Sequence, residues 1–319
     1  MQRILIAAVL LTPASILAQT VPADSATFRT ASTIVTVPAL VRGPSGGFVT
    51  SLDSRDFVLL DNNQPQQAKL ADNAGEPIAL VILVQTGGAA VHHFFDYVDL
   101  PAFLDWMTGG TNHDLMLVKF DSRVEVTWHF PVRSDGVGYS MTHLRPGDPG
   151  AALSDAVLLG VQQLQSEPGR FRRIVLLISQ ETDQGSSTAP EEILRTLGKG
   201  STAVYALTFS APHTRGKTVR GHRSVNEETP LAAAVRELRE HTADELAAYT
   251  GGAHLAFSTR REFDEAIKAV ASDIRNRYAL GFQPAAHDPG IHRLTIHVRE
   301  GLSVTGRGGY WFDPVGSDH

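Results

Sequence analysis

The chain has 319 residues, a formal net charge of −6 at pH 7 and no cysteine. Its length suits one large domain or two smaller ones, and its hydrophobic content of 42% is enough for a core. Because phosphate binding requires clustered Lys and Arg, the negative charge argues against a general polyanion binder. The absence of cysteine excludes disulfides, zinc sites built on thiolates and a cysteine nucleophile.

The first 18 residues have the pattern of an export signal. Arg3 supplies a positive charge, residues 4–11 are apolar, and Ala18 ends a short stretch that suits cleavage. We therefore predict a signal peptide over residues 1–18 and a mature protein that starts at Gln19 and is periplasmic or extracellular. The alternative is a buried N-terminal strand or helix. A lipoprotein anchor is excluded because it requires a cysteine, and no later apolar run is long enough to cross a membrane.

The predicted N-terminal β segment covers residues 19–75. Residues 32–41 and 56–60 are rich in β-branched and large apolar residues, and Gly-Pro-Ser-Gly-Gly at 43–47 predicts a turn between them. Residues 30–70 therefore form a small antiparallel β unit.

Residues 76–276 alternate between apolar strands and helical patterns. The predicted strands are 78–84, 115–120, 124–130, 173–179, 203–209 and 254–257, and the predicted helices are 91–107, 152–165, 190–197, 230–250 and 261–275. Fully apolar strands that alternate with helices predict an α/β domain with a doubly wound, mostly parallel, Rossmann-like sheet covered on both faces.

Short strands return in the C-terminal β segment, residues 277–312, which precedes a tail at 313–319. The predicted strands are 278–282, 292–298 and 302–311, and Gly-Arg-Gly-Gly at 306–309 predicts only a bend before Tyr310. Neither outer segment is large enough to bury a stable core alone. We expect the C-terminal segment to pack with residues 30–70 as one small β domain, with the α/β domain inserted between them.

Several stretches resemble the von Willebrand factor type A domain, and together they resemble the bacterial secreted VWFA-related family. Residues 49–57 read VTSLDSRDF and residues 60–62 read LDN; residues 246–252 read LAAYTGG; residues 277–284 read RYALGFQP, with His292-Arg293 and RGGY at 307–310 further on. The resemblance covers nearly everything after the predicted signal peptide. It implies a type A fold and a protein-binding function.

The resemblance also implies a metal-ion-dependent adhesion site, whose ligands this chain lacks. In the family, Asp-x-Ser-x-Ser follows the first strand, and a Thr and an Asp from two further loops complete the oxygen ligands of a magnesium-type ion. A hard cation requires oxygen ligands, and carboxylates offset its charge. The corresponding positions here are Gln85, Gly87, Ala89, Ala151 and Gln180. The resemblance therefore predicts a degenerate site with no metal and no cofactor.

The loops that carry these five positions allow two interpretations. In the first, Gln85 and Gln180 hydrogen-bond each other or water, and Gly87 serves only the tight turn. In the second, a shifted cation site is rebuilt from neighbouring oxygen donors, which are also the candidate partner contacts: Thr86, Asp148, Glu181 and Asp183.

One connection, loop 211–229, is long for an α/β domain, and its first part, 211–223, is basic. It is either a solvated loop or a contact for an acidic partner surface or an anionic envelope glycan. The candidate contact residues are Arg215, Lys217, Arg220 and Arg223.

No catalytic motif supports an enzyme. The chain has no H-x-x-x-H, H-E-x-x-H, G-x-S-x-G or G-x-x-x-x-G-K-[ST] pattern. We therefore expect a non-catalytic interaction protein, adhesion- or scaffold-like, whose partner is an unknown exported protein or a cell-envelope or matrix component rather than nucleic acid. The alternatives are a cation-dependent adhesin with relocated ligands and an exported hydrolase with an unrecognised site.

Overall fold

The structure is a computed structural model that describes residues 34–71, 76–108, 113–132, 134–169, 171–209, 229–285 and 288–313. These residues lie in one compact unit, Thr33–His319. The predicted signal peptide lies outside the described residues. Within the described ranges, no helix is both long and apolar enough to cross a membrane.

Four short strands open the described chain. They are β1 (Val35–Arg42), β2 (Phe57–Asp61), β3 (Gln64–Gln66) and β4 (Lys69–Ala71). A single 3₁₀ turn precedes β2, and Asp53 caps it by accepting a hydrogen bond from the Arg55 amide, so the entry to β2 is fixed locally.

The next six strands form the central sheet. They are β5 (Ile78–Gln85), β6 (His113–Phe120), β7 (Val124–Val132), β8 (Arg172–Ser179), β9 (Ala203–Phe209) and β10 (His254–Phe257). Their order is β10-β9-β8-β5-β6-β7, and all neighbours are parallel except β6 and β7. This is a doubly wound order. Strands β6 and β7 are added on one side of β5 and strands β8 to β10 on the other, so the switch point lies between β5 and β8. Ligands of such sheets bind at the carboxyl ends of the strands at this switch point.

Helices cover both faces of the central sheet. A 3₁₀ helix spans Gly88–Tyr97, and the α-helices are α1 (Leu100–Thr108), α2 (Ser134–Thr142), α3 (Leu153–Ser166), α4 (Pro190–Lys199), α5 (Pro230–Glu240), α6 (Thr242–Thr250) and α7 (Arg260–Arg275). The 3₁₀ helix, α1, α2 and α7 pack on Leu80 and Ile82 of β5. Helices α3 to α6 pack on Val81 and Leu83. The predicted α/β fold class is confirmed.

The last four strands complete a small β domain. They are β11 (Tyr278–Phe282), β12 (Gly290–Val298), β13 (Ser303–Gly306) and β14 (Gly309–Phe312). They form two four-stranded sheets with the first strands, in the orders β13-β1-β11-β4 and β14-β12-β2-β3. The two ends of the described chain therefore meet, since β1 pairs with β11 and β2 pairs with β12.

Three predicted elements are divided in the structure. The predicted helix 91–107 is a 3₁₀ helix followed by α1, because Pro101 in the first turn of α1 has no amide hydrogen to continue the preceding helix. The predicted helix 230–250 is α5 and α6, separated at His241, whose backbone is non-helical (φ −139°, ψ 61°). The predicted strand 302–311 is β13 and β14, which belong to different sheets. Helix α2 was not predicted.

Arg307 lies in the bend between β13 and β14, and its side chain joins the β domain to α4. The guanidinium donates to the carbonyls of Gly309 (2.7 Å) and Thr36 (3.1 Å) in the β domain, and to those of Leu197 (3.2 Å) and Gly198 (2.7 Å) at the end of α4. Burial lowers the pKa of Arg307 to about 10. The stretch predicted only as a bend is therefore a junction between the small β sheets and α4.

Candidate functional site

The carboxyl ends of β5 and β8 meet at the switch point of the sheet, where Gln85 and Gln180 are hydrogen-bonded. The Gln85 Oε1 accepts from the Gln180 amide (2.8 Å), and its Nε2 donates to the Gly87 carbonyl (3.0 Å) and to the Gln180 Oε1 (3.2 Å). Gln180 in turn donates to the Thr182 carbonyl (2.8 Å). Gln85 is fully buried. Both amide hydrogens of Gln85 are therefore used by oxygen acceptors within the protein.

Thr86 is held by the neighbouring strand. Its amide and its hydroxyl both donate to the Phe120 carbonyl, at 2.8 and 3.2 Å, and its own carbonyl accepts from the Gly147 amide at 3.0 Å. The Thr86 side chain therefore binds the end of β6. Its backbone connects the first turn, which follows β5, to the loop that follows α2.

Gly87 lies in close contact with that same loop. A Cβ atom built on Gly87 would lie 2.7 Å from the Gly150 carbonyl oxygen and still closer to the Asp148 carbonyl oxygen. Both distances are too short for any side chain unless the backbone moves. Ala89, two residues further along, is exposed. The space that a hydroxyl side chain at position 87 would require is filled by backbone.

Asp148 is hydrogen-bonded to Ser122, which lies in the turn between β6 and β7. Its carboxylate accepts from the Ser122 amide (3.0 Å), the Ser122 hydroxyl and the Gly150 amide (2.8 Å). The hydrogen bond from the Ser122 hydroxyl is the largest of the contributions that lower the pKa of Asp148. The charge is therefore stabilised by donors inside the loops.

Asp183 and Ala151 connect the second loop, residues 143–152, with the third loop, residues 180–189. The Asp183 carboxylate accepts from the Ser154 amide (3.1 Å) and the Ser186 hydroxyl (2.6 Å), and so caps the first turn of α3. The backbone of Ala151 exchanges two hydrogen bonds with Gln184, at 2.8 and 2.9 Å. The three loops are therefore cross-linked by hydrogen bonds.

Glu181 lies close to two histidines, His241 and His254. Its carboxylate oxygens lie 3.9 Å from the His241 Nδ1 and 3.7 Å from the His254 Nε2. The Glu181 side chain is 43% exposed. The four candidate residues Thr86, Asp148, Glu181 and Asp183 thus contact different groups and are not gathered around one point.

The side chains present do not fit a magnesium-type ion. The leading position carries a neutral amide whose hydrogens are already donated, and position 87 has no room for a hydroxyl. Among the described residues, no group of three or more His, Asp or Glu is arranged to hold a metal ion. Hydrogen bonds between side chains and backbone cross-link the loops at this point instead.

His254 also takes part in a chain of contacts that sequence spacing does not reveal. The Thr208 hydroxyl lies 2.7 Å from its Nε2, and the Asp244 carboxylate lies 3.3 Å from its Nδ1. A hydroxyl, an imidazole and a carboxylate in this order match a nucleophile, a base and an orienting group. Thr208, however, is only 1% exposed, so its hydroxyl does not reach a substrate. The chain of contacts holds β9, β10 and α6 together.

The basic candidates Arg215, Lys217, Arg220 and Arg223 lie outside the described residues. Their role as partner contacts stays a prediction.

The strand order places the switch point between β5 and β8, with helices on both faces and one antiparallel edge strand, β7. The α/β part has a von Willebrand factor type A-like fold. No family model matches the chain, and no curated protein matches it.

Similar solved structures include three bacterial proteins. A von Willebrand factor type A protein from Catenulispora acidiphila is 9% identical, with a TM-score of 0.45 over 90% of this chain and 76% of that one. BatB from Bacteroides thetaiotaomicron is 14% identical, with a TM-score of 0.41 over 62% of this chain and 97% of that one. An aerotolerance-related membrane protein from Bacteroides fragilis is 13% identical, with a TM-score of 0.42 over 62% of this chain and 98% of that one.

Sequence reasoning missed the residues that close the loops of this type A-like domain. Those residues are Gly147, Gly150 and Ser122, and glycine and serine are so common in turns that their presence predicts no particular contact. The signal that was present is the stretch Gly-Asp-Pro-Gly at 147–150, in which two glycines flank the Asp148 that binds Ser122. Turn composition predicts the turn but not what it packs against.

Proposed function

We propose that this chain is an exported, non-catalytic interaction protein, adhesion- or scaffold-like, that recognises its partner without a metal ion. The observation that supports the proposal most is the hydrogen-bonded amide pair of Gln85 and Gln180 at the switch point. Amides satisfied by each other hold the loop ends in place, so the edge keeps its shape with no cation to organise it.

The proposed partner surface is the loop edge, defined by the exposed parts of residues 88–89, 148–149 and 181–184 together with Asp244. Its charged groups include Glu181 and Asp244, whose side chains are 43% and 42% exposed. An acidic, partly apolar edge suits a protein partner with basic residues and does not suit nucleic acid. The partner class is an exported protein or a component of the cell envelope or matrix.

The test is capture of exported proteins on the immobilised full chain, in EDTA and in magnesium. We expect the captured protein to be retained equally in both buffers. The variants Glu181→Lys and Asp244→Lys should each reduce capture, because they reverse charge at the edge. The matched control is Glu265→Lys, which reverses an exposed charge on α7.

The outcomes separate the alternatives. Capture that requires magnesium would support the cation-dependent adhesin. Equal loss in the control variant, or no loss in either edge variant, would place the binding surface elsewhere. No specific capture in either buffer would contradict the interaction function itself.

A further inference from the structure

We infer that the loop edge is closed by its own backbone, and that Gly87, Gly147 and Gly150 are the residues that permit the closure. In consequence, a cation site would not be recreated by placing the oxygen ligands of type A domains at the five positions that lack them here, which are Gln85, Gly87, Ala89, Ala151 and Gln180. This inference concerns the packing of the loops and holds whatever the edge binds.

The three glycines face one another's loops at distances that exclude a side chain. A Cβ on Gly147 would lie 2.9 Å from the Thr86 Oγ1, and a Cβ on Gly150 would lie 2.6 Å from the Ser122 Cβ. A Cβ on Gly87 would lie 2.7 Å from the Gly150 carbonyl oxygen. The first turn, the end of β6 and the second loop therefore approach each other because three positions carry only hydrogen.

Hydrogen bonds hold the loops in this closed arrangement. The Gly147 amide donates to the Thr86 carbonyl (3.0 Å), and the Ala152 amide donates to the Asp121 carbonyl (2.6 Å). The Asp148 amide donates to the Asp121 carboxylate (3.2 Å). These hydrogen bonds therefore maintain the close approach of the loops.

A restored ligand at position 87 would have to displace this backbone. Magnesium requires near-octahedral oxygens at about 2.0–2.1 Å. A serine hydroxyl at position 87 meets the Asp148 and Gly150 carbonyls before it meets an ion. Moving the second loop outward would break the bond to Thr86 and strain the contacts of Asp148 with Ser122.

Single substitutions test the closure directly. Gly87→Ala should lower the melting temperature by several degrees, whereas Gly43→Ala, whose added Cβ meets its nearest atom at 3.8 Å, should leave it nearly unchanged. Gly87→Ser and Ala89→Ser place the same hydroxyl on the buried and the exposed position of one turn. Only Gly87→Ser should be destabilising. Equal melting temperatures for Gly87→Ala and Gly43→Ala would overturn the inference.

The combined variant tests the consequence. Gln85→Asp, Gly87→Ser, Ala89→Ser, Ala151→Thr and Gln180→Asp together restore the five ligand types. We expect calorimetric titration with manganese to show no binding and the melting temperature to be equal in manganese and EDTA. Stoichiometric binding would overturn the inference without touching the proposed partner capture, which uses the native chain. If the combined variant does not fold, the Gly87 and Ala89 pair decides alone.

Discussion

Amide side chains suit the buried ends of β5 and β8 because an amide both donates and accepts. The Gln85 Nε2 faces two oxygen acceptors, while its Oε1 faces an amide hydrogen. A carboxylate has two acceptor oxygens and no donor when ionised. Without a cation, an acidic residue at position 85 would point negative charge at two carbonyl-type oxygens.

The variant Gln85→Glu tests this reasoning, since it exchanges NH₂ for oxygen at nearly constant shape. We expect a loss of about 3–5 kcal/mol of unfolding free energy at neutral pH, the usual cost of an uncompensated buried charge. Burial raises the pKa of such a carboxyl, so the loss should shrink as the pH falls and the group is protonated. Urea unfolding at neutral and mildly acidic pH measures both effects.

The control for that variant is Gln184→Glu, which makes the same change on an exposed side chain of the third loop. It should cost less than about 0.5 kcal/mol. Equal losses in the two variants would show that the amide pair contributes nothing specific.

Arg307 offers a second test at the residue scale. Its four hydrogen bonds reach carbonyls of the small β sheets and of α4, a spread that the single ammonium of lysine does not cover. Arg307→Lys should therefore cost roughly 2–4 kcal/mol, since several buried acceptors lose a charged donor. The control Arg293→Lys changes an exposed arginine on β12. Chemical denaturation of both variants makes the comparison, and a similar small loss in each would contradict the junction.

The sequence predicted the place of a single residue in the loops only where the resemblance to type A domains supplied a corresponding position. The first interpretation of these loops had Gln85 and Gln180 bond each other or water, and the structure has them bond each other. The close packing at Gly87 and the junction at Arg307 depend on loops distant in sequence. A glycine or an arginine in a turn carries no local sign of what approaches it.

Helix α4 connects the loop edge to the β domain. It begins at Pro190, after the third loop, and its end packs on β14, where a Cβ on Gly198 would lie 2.6 Å from the Trp311 Cβ. Arg195 lies over the Trp311 ring at 4.8 Å. The helix that follows Gln180 is thus fastened to the β domain at its far end.

Removal of residues 278–319 tests how the β domain depends on both ends of the chain. The truncation deletes β11 and β13, which are the two neighbours of β1, so β1 should lose its ladder hydrogen bonds. We expect faster hydrogen exchange over Val35–Arg42. Strand β5 keeps its neighbours β6 and β8 and should stay protected in the same sample. Unchanged exchange in β1 would contradict the shared domain.

At the scale of elements, hydrophobic pattern predicted the strands of the central sheet, because buried parallel strands are continuously apolar. It did not predict where elements divide. The divisions lie near Pro101, His241 and Arg307, where backbone geometry or a contact with another part of the fold interrupts the predicted element. Hydrophobic periodicity indicates which face of a helix or strand is buried. It does not indicate where a contact with another part of the fold ends that helix or strand.

The whole chain is predicted to act after export. We expect mass spectrometry of the secreted or periplasmic product to find a mature N-terminus at Gln19, because the apolar run of residues 4–11 leads to a small residue at Ala18. The cell-associated precursor serves as the comparison. A product that retains Met1 outside the cytoplasm would contradict the predicted cleavage.

Thermal unfolding of the native chain in EDTA and in millimolar magnesium or manganese shows whether the loop edge keeps its structure without a cation. An ion that binds only the folded state stabilises it by mass action. At a free concentration of a hundred times its dissociation constant, it adds roughly 2.7 kcal/mol to the free energy of unfolding. Since the amide pair and the closed loops leave no set of anionic ligands, we predict equal melting temperatures in the three buffers. A reproducible rise of several degrees with either metal, abolished by Glu181→Ala or Asp183→Ala, would contradict the account and establish a relocated cation site.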